Sequence, residues 1–312
     1  GRIPYQLGGY QFGQDEFGDY IGLSRLRVAI TTAAGGLQFP FSSSERVEFG
    51  LGLTRYSYDL ELDKFYTNVF GETIGFEREQ LDAPTPLSLV QASIALVGDN
   101  SSFGFVSPIR GGRYRFELQQ TTGSVDFSTV IADFRRYYSP FKNLTVGVRG
   151  LHYGRYGLGT EELTQDGFGI LNPLFLGFET FVRGYAYESM DLRTECLPGQ
   201  TATNTCPALN RLQGHRVAVG SVEMRVPFLG VPQFGIINFP FLPTELVAFA
   251  DAGLAWDYPR CIQQAGGATE CFSDAPVLEW SRSASARVPV LSTGFSARMN
   301  VLGFMILEAY YA

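Results

Sequence analysis

Alternation of apolar and polar residues with a period of two is the feature that most limits how this chain can fold. In the stretch RYRFELQ, residues 113–119, the two kinds of side chain follow one another without a break. The same pattern recurs at 47–53, 90–96, 144–150 and 293–299. Neighbouring side chains of a β-strand point to opposite faces of a sheet, whereas a helix repeats every 3.6 residues. No long window has the helical period, so the sequence predicts an all-β protein.

Eleven segments with this pattern are candidate strands. They are residues 2–14, 20–31, 46–58, 87–100, 112–122, 124–138, 143–157, 214–228, 245–257, 290–300 and 304–312. Most have about the 9–11 residues that a tilted strand needs to cross a bilayer.

The connections between these strands differ in length at the two ends of the predicted sheet. Tight turns are predicted at 121–123 and 300–303, and long polar connections at 59–86, 158–213 and 258–289. Counted alternately along the chain, all three long connections fall at the same end. Short turns at one end and long loops at the other are typical of a transmembrane antiparallel β-barrel. The connection 229–244 departs from this rule, because it is long and falls on the short-turn side.

Composition excludes several classes of protein. The chain is 45% hydrophobic and 14% aromatic but only 18% charged, against a usual charged share of about a quarter. Its net charge of -7 gives no reason to expect nucleic acid as a partner. No stretch reaches the ~18 apolar residues of a spanning helix, and residues 1–10 lack the features of a signal peptide. A membrane protein with this sequence would therefore cross the bilayer with strands.

Aromatic residues separate a membrane barrel from a soluble β-sandwich or a lipocalin-like barrel, which also alternate. A membrane barrel carries aromatic girdles at both interfaces with water. Aromatic residues lie where the predicted strands end: Tyr137, Tyr138, Phe141, Tyr153, Tyr156, Trp256, Tyr258, Tyr310 and Tyr311. This placement favours the membrane barrel, with residues 1–312 as one barrel domain.

Closure of such a barrel requires an even number of strands, because an unpaired edge in hydrocarbon leaves peptide groups without partners. Eleven candidate strands are one short of twelve. We therefore expect a twelfth, closing strand after Ala312. The alternative is a larger barrel of about sixteen strands, with further strands before Gly1.

Two carboxylates are predicted to face the lumen. In residues 217–228 the apolar residues at the even-numbered positions share one face, so Glu223 lies on the opposite, inner face. In residues 245–256 the even-numbered positions again form the apolar face, so Asp251 also points inward. The connection 158–213 is long enough to fold back, so that Arg183 would pair with both. A cation about 4 Å from one carboxylate gains on the order of 4 kcal/mol before desolvation is subtracted. A solvated arginine in an open loop remains the alternative.

Three motifs in sequence order resemble the C-terminal barrel of the bacterial surface antigen superfamily. They are LFLGFETFVRGY (174–185), SVEMRVPFLG (221–230) and AFADAGLAW (248–256). The superfamily includes outer-membrane barrel-assembly proteins and two-partner secretion transporters, and the resemblance covers about residues 110–312. It implies a Val-Arg-Gly-aromatic motif, Val182, Arg183, Gly184 and Tyr185, at the tip of an extracellular loop inserted into the lumen. It also implies that Asp251 of the Phe249, Asp251, Gly253 motif and Glu223 bind Arg183.

A narrower similarity covers GGRYRFELQQTTGSVDFSTVIADFRRYYSP (111–140) and LHYGRYG (151–157). These stretches are similar to barrels attached behind a predicted periplasmic β-propeller. The superfamily resemblance implies a protein of the bacterial outer membrane that inserts or translocates proteins, with outer-membrane lipid, unfolded outer-membrane proteins, a periplasmic domain or a lipoprotein as partners. The narrower similarity implies a propeller before Gly1, which would favour anchoring of a periplasmic domain. A passive anchor for a periplasmic domain and a diffusion pore are the alternatives.

The four cysteines form two pairs with equal spacing, Cys196 with Cys206 and Cys261 with Cys271. Each pair encloses a short polar stretch, which favours two disulfides within loops in an oxidising compartment. Free thiols and pairing between the loops remain possible.

Enzymatic chemistry is not predicted. No Ser-His-Asp arrangement stands out, and neither histidine lies at metal-ligand spacing from the cysteines. His152 falls on the apolar face near the end of its strand, which suits a position among the aromatic belt residues. We therefore expect no catalytic residue, no metal and no cofactor.

Overall fold

The computed structural model describes residues 2–15, 18–68, 70, 72–157, 173–186, 189, 211–233, 235–257, 260–263, 269–272 and 288–312. The elements found there are β-strands, which confirms the prediction of an all-β chain. In these ranges no helix has the length and apolar character required to span a bilayer.

Eighteen strands lie in the described part of the chain. They are β1 (Arg2–Asp15), β2 (Gly18–Pro40), β3 (Glu45–Thr67), β4 (Thr73–Leu81), β5 (Leu87–Asp99), β6 (Ser102–Phe103), β7 (Pro108–Gly123), β8 (Phe127–Phe141), β9 (Leu144–Tyr156), β10 (Leu174–Phe175), β11 (Gln213–Gly214), β12 (Arg216–Gly230), β13 (Ile237–Asn238), β14 (Thr244–Trp256), β15 (Arg260–Gln263), β16 (Thr269–Phe272), β17 (Val290–Val301) and β18 (Met305–Tyr311).

The long strands follow one another in a single sheet. Its order is β1-β2-β3-β5-β7-β8-β9-β12-β14-β17-β18, with the short strands β4, β6 and β13 paired at its sides. Each of the eleven predicted segments corresponds to one strand on this path. Strands β8 to β18 on the path pair antiparallel, whereas β13 runs parallel to the end of β12. Because each strand pairs with the next long strand in sequence, every connection joins neighbours.

Three predicted connections differ in the structure. The range 59–86 is not a polar loop throughout, because β3 continues to Thr67 and β4 occupies Thr73–Leu81. The range 258–289 contains the hairpin of β15 and β16. The turn predicted at 121–123 falls at 124–126 instead, since β7 continues to Gly123.

The chain divides by its internal contacts into two compact units. The first consists of Gly1–Leu37, Phe49–Ser93 and Gln120–Asp126. The second consists of Gln38–Glu48, Ile94–Gln119 and Phe127–Ala312. All residues of the candidate site belong to the second unit.

Ion pairs across strands explain why β3 and β4 extend into the range predicted as a loop. Asp63 of β3 lies directly opposite Arg78 of β4 in the strand register. Its side chain is fully buried, with Arg78 Nε 2.7 Å and Arg25 NH2 2.8 Å from its two oxygens. Glu61 accepts a hydrogen bond from Arg27 of β2. Asp63 and Glu61 therefore pair with arginines of neighbouring strands in the first unit.

The two faces of β12 and β14 have opposite character in the second unit. One face carries Ser221, Glu223 and Arg225 of β12 and Val247, Phe249 and Asp251 of β14, and its residues are mostly buried. This is the inner face. The other face, the outer face, exposes apolar side chains, among them Met224 at 52% and Leu246 at 42%. A water-soluble protein normally shows the reverse distribution.

A stretch of the connection between β9 and β12 packs against the inner face. We call Leu174–Ala186 the loop segment. Hairpin β10–β11 closes its base, with Leu174 opposite Gly214. Leu176 and Val182 of the loop segment are fully buried in one apolar cluster with Leu151, Val217, Val219 and Ala255 of the strands and with Leu212. The loop segment and the sheet therefore share a core.

Candidate functional site

The site forms where the loop segment meets the middle of β12 and β14. Ser221 and Asp251 are partners in the register of these strands, and Glu223 lies two residues further along β12 on the same face. Arg183 reaches both carboxylates from a turn of the loop segment. Gly184, the next residue, has a φ of +87°. A side chain is strained in this left-handed conformation, so the turn that directs Arg183 favours glycine.

Asp251 holds Arg183 with both carboxylate oxygens. Arg183 Nε donates to Oδ2 and NH2 donates to Oδ1, each at 2.8 Å. The backbone N–H of Arg183 donates to Oδ2 as well, at 3.3 Å, and the Ser221 hydroxyl donates to Oδ1 at 2.6 Å. A bidentate pair of this kind fixes the orientation of the guanidinium plane as well as its position.

Glu223 receives three guanidinium groups. Arg183 NH1 donates to its Oε1 at 2.7 Å, Arg225 Nε donates to Oε2 at 2.8 Å, and Arg298 of β17 donates to both oxygens, at 2.9 and 3.1 Å. Arg298 Nε also lies 2.9 Å from Glu308 Oε2 on β18. The buried charges thus form a network of both signs that spans β12, β14, β17 and β18.

Phe249 and Gly253 contact the loop segment from either side of Asp251. The guanidinium carbon of Arg183 lies 3.6 Å from the centroid of the Phe249 ring, a cation–π contact. A Cβ atom on Gly253 would collide with Val182 Cγ2. All three residues of the Phe-x-Asp-x-Gly motif therefore face the Val182–Arg183 step of the loop segment.

Burial makes the network sensitive to the loss of any partner. The side chains of Arg183 and Asp251 are 9% and 1% exposed. Burial alone would lower the pKa of Arg183, but hydrogen bonds to Asp251 and the charge of Glu223 more than offset it, so this pKa lies above its ordinary value. Arg183 is therefore a permanent cation that neutralises carboxylates out of bulk water.

Further hydrogen bonds fasten the loop segment on both sides of Arg183. Arg149 NH1 of β9 donates to the carbonyl of Thr180 at 2.5 Å. The Tyr185 hydroxyl donates to the carbonyl of Leu291 on β17 at 2.8 Å, and burial raises the pKa of this hydroxyl. The loop segment is thereby attached to strands β9, β12, β14 and β17.

The family profile that matches this chain is that of the Omp85 superfamily domain, over residues 5–281. The chain belongs to the Omp85 superfamily. This confirms the predicted relation to the surface antigen superfamily.

A solved structure of BamA from Haemophilus ducreyi lacking POTRA domains 1–3 is similar to this Omp85 chain. The TM-score is 0.52 at 15% sequence identity, and the match covers 97% of this chain and 53% of that one. The chain therefore spans about half the length of the structure it matches. At this identity the likeness shows the fold alone, and it confirms the predicted barrel fold class. No curated protein gives a significant sequence match.

Sequence reasoning assigned eight residues to this site in the Omp85 chain, and the structure brings them into one contact region. They are Val182, Arg183, Gly184, Tyr185, Glu223, Phe249, Asp251 and Gly253. It missed Ser221, Arg225, Arg298 and Glu308. Strand parity already places Ser221 and Arg225 beside Glu223, so this signal was present in the sequence. Nothing in the local pattern indicates that Arg298 and Glu308, 75 and 85 residues away from Glu223, complete the network.

The cysteines lie at or beyond the limits of the described structure. Cys196 and Cys206 are outside the described residues. Cys261 and Cys271 occupy directly opposite backbone positions in the hairpin of β15 and β16. The two disulfides stay predictions.

Both histidines contact other side chains of the protein through their ring nitrogens. His152 Nδ1 lies 3.0 Å from the carbonyl oxygen of Val217 and Nε2 lies 2.7 Å from the Tyr156 hydroxyl, and the ring stacks on Trp256. His215 is buried with its Nδ1 2.6 Å from Asp257 Oδ1. Within the described ranges, no three His, Cys, Asp or Glu side chains come together as metal ligands would. The described contacts of Arg183 with Asp251 and Glu223 are ion pairs between the loop segment and the strands.

Proposed function

We propose that this Omp85 chain is a transmembrane β-barrel of the bacterial outer membrane that takes part in protein insertion or translocation there, with its lumen closed by the loop segment. The ion-pair network of Arg183 with Asp251 and Glu223 is the observation that carries the proposal. It joins a loop to the inner face of a barrel, where a polar channel would otherwise run.

The exposed apolar face supports the membrane location. Val222, Met224 and Leu246 project from the middle of β12 and β14 on the outer face, and each is more than 40% exposed. Contiguous apolar surface of this kind is unfavourable in water and suits contact with lipid tails. Lipid of the outer membrane is therefore the first partner that we assign to the chain.

The packing of the loop segment supports closure of the lumen. Its two buried apolar residues share a core with the strands, and Arg183 is bound through three of its nitrogen atoms, Nε, NH1 and NH2. Removing one partner from a buried ion pair costs about 3–5 kcal/mol. The loop segment therefore stays in place at rest, and an open diffusion pore is disfavoured.

Protein partners follow from the superfamily. Unfolded outer-membrane proteins are the substrates that we propose, with a periplasmic domain or a lipoprotein as further partners. The chain covers 53% of the BamA structure that it matches. A passive anchor that holds a periplasmic domain at the membrane is the second candidate function, since a barrel whose lumen is closed by the loop segment is also suited to that role.

We also propose two disulfide bonds, Cys196–Cys206 and Cys261–Cys271. The support is the register of β15 and β16, which places Cys261 directly across from Cys271. Directly opposed positions in antiparallel strands have Cα atoms about 4.5–5.5 Å apart, within the range of a disulfide. Peptide mapping by mass spectrometry without reduction checks both bonds, and free thiols in folded protein would exclude them.

The proposed activity can be measured in liposomes. The full-length protein is reconstituted, and the folding rate of a urea-unfolded outer-membrane barrel into these liposomes is followed by its mobility shift on gels. We expect faster folding than in liposomes that hold an equal amount of an unrelated outer-membrane barrel. This control removes the effect of membrane defects around any inserted protein.

Two results decide between the candidate functions. Acceleration over the control supports a role in insertion. A rate equal to the control, with the reconstituted protein correctly folded, removes the insertion role and leaves the anchor.

A further inference from the structure

The connection between β5 and β7 makes contacts far from its own place in the sheet. We call residues 100–107 the crossing segment. It joins two neighbouring strands of the sheet order, yet its side chains and carbonyls reach β12, β14 and β17, which lie several strands away. Because successive connections alternate between the two ends of the strands, the crossing segment lies at the end opposite to the connection that carries the loop segment.

Ser107 is the main contact of the crossing segment. Its hydroxyl lies 2.7 and 3.0 Å from the two carboxylate oxygens of Glu245, at the start of β14. Both residues are buried, with 8% and 4% exposure, although they are 138 residues apart in sequence. A buried carboxylate requires hydrogen bonds to offset its desolvation, and Ser107 supplies one.

Arg225 connects the crossing segment to the network around Arg183. Its Nε donates to Glu223 Oε2 at 2.8 Å, while its NH1 donates to the Ser107 hydroxyl and to the carbonyl of Pro108, each at 3.2 Å. Arg183 binds the other oxygen of Glu223. An unbroken path of hydrogen bonds therefore runs from Arg183 through Glu223 and Arg225 to Ser107 and Glu245.

A third strand holds the crossing segment as well. Asn300 Nδ2, at the end of β17, donates to the carbonyl of Phe105 at 2.6 Å. Within the segment, the N–H of Gly104 donates to the carbonyl of Ser107 at 2.9 Å, which closes a tight turn. The crossing segment is thus hydrogen-bonded to β12, β14 and β17.

The loop segment and the crossing segment contact β12 at successive positions of the same face, the first at Glu223 and the second at Arg225. Glu223 and Arg225 are two residues apart on the same face, a rise of about 6–7 Å along a strand. A cavity of about 560 Å³ lies between the elements, and its lining includes Val106 and Ser107 from one and Phe181 and Arg183 from the other. The inner space is therefore bounded by the loop segment on one side and by the crossing segment on the other.

We propose that the crossing segment is a second closure of the lumen, and that Arg225 and Glu223 couple it to the ion pairs of Arg183 with Asp251 and Glu223. We call these ion pairs the latch. That this second closure also blocks the passage of ions through the lumen rests on the proposed closure by the loop segment. The coupling has a physical cause, since Arg183 and Arg225 share one carboxylate. Release of Arg183 removes one of the three cations that Glu223 binds. The carboxylate then attracts Arg225 and Arg298 more strongly, which draws Arg225 away from Ser107.

Hydrogen–deuterium exchange of the full-length protein in detergent micelles tests the coupling directly. Arg183→Ala is compared with the wild type over peptides that cover 174–186 and 100–108. We expect exchange to rise about fivefold or more in both peptides, the lower range of typical coupling between sites. Linkage is reciprocal, so Ser107→Ala is expected to raise exchange in 174–186 as well.

Ser102→Ala is the matched control. Ser102 is an exposed serine of the crossing segment, and the same change of side chain there leaves the bond to Glu245 intact. Arg225→Lys is a second variant, which keeps a cation near Glu223 but cannot bridge to Ser107 with a planar fork. It is expected to raise exchange in 100–108, and it remains informative if Ser107→Ala does not fold.

The outcomes separate the two proposals. Higher exchange in 174–186 but unchanged exchange in 100–108 for Arg183→Ala would overturn the coupling and leave the latch standing. Unchanged exchange in 174–186 would remove the latch itself. Unchanged exchange in 100–108 for Arg225→Lys would show that Arg225 does not hold the crossing segment.

Discussion

Val182 fills the space beside Gly253 that a side chain at that position would occupy. The contact is so close that a Cβ atom on Gly253 would overlap Val182 Cγ2 and lie 3.2 Å from Leu176 Cδ2. Both of these side chains are fully buried. The loop segment therefore fits on β14 because Gly253 has no side chain, as well as because Asp251, two residues earlier, binds Arg183.

Gly253→Ala is expected to loosen the loop segment. The added methyl group must displace Val182, and overpacking of this kind costs about 1–3 kcal/mol. Urea unfolding of the protein in detergent measures the change. Gly220→Ala is the matched control, because a Cβ atom there meets nothing within 4 Å. Equal stability of the two variants would contradict the close fit of Val182 on β14.

Arg183→Ala is expected to destabilise the folded protein by about 3–5 kcal/mol, because Asp251 is left buried without its cation. Conductance in planar bilayers is expected to rise as the loop segment leaves the inner face. Arg183→Lys keeps the charge but loses the bidentate bond, so an intermediate effect is expected.

Arg46→Ala provides the control for loss of an arginine at the surface. The Arg46 side chain is 42% exposed and pairs with Glu48, and such pairs contribute about 0–1 kcal/mol. A wild-type conductance and unfolding midpoint for Arg183→Ala would exclude a latch role for this residue.

Met224→Lys tests the outer face of β12. In a water-soluble protein the substitution of a half-exposed methionine changes stability by no more than about 0.5 kcal/mol. On the lipid face near the bilayer midplane, a lysine costs about 2–4 kcal/mol. Folding into lipid vesicles at a series of urea concentrations distinguishes the two. Ser42→Lys, in the exposed turn between β2 and β3, is the control and is expected to fold as the wild type does.

The strands could be predicted from the sequence because their pattern is local. Parity on β12 and β14 also placed Glu223 and Asp251 on one face. The path of the loop segment is not local, and parity alone could not choose Arg183 as the partner; the resemblance of the VRGY and Phe-x-Asp-x-Gly motifs to a known family did. Contacts such as Ser107 with Glu245 join residues 138 apart, and no pattern within a strand indicates them.

The prediction of a polar connection after residue 58 was wrong, because β3 continues to Thr67 and β4 follows it. The range 59–86, which contains Asp63 and Arg78, is predicted from its sequence as a long polar connection. In the structure they face each other across β3 and β4, so each charge is neutralised within the sheet. A short charged segment with the strand period is therefore consistent with a strand whose partner carries the opposite charges.

Asp63→Ala is expected to free β4 from β3. Asp63 is the fully buried carboxylate that receives both Arg25 and Arg78, and without it these cations repel each other across the first unit. Hydrogen exchange of a peptide covering 73–81 should rise, while peptides from β8 and β9 stay protected. Glu79→Ala is the control, because the Glu79 side chain is 47% exposed and its pair with Lys64 contributes little. Equal exchange of 73–81 in the two variants would show that strand pairing alone holds β4, without the buried ion pair.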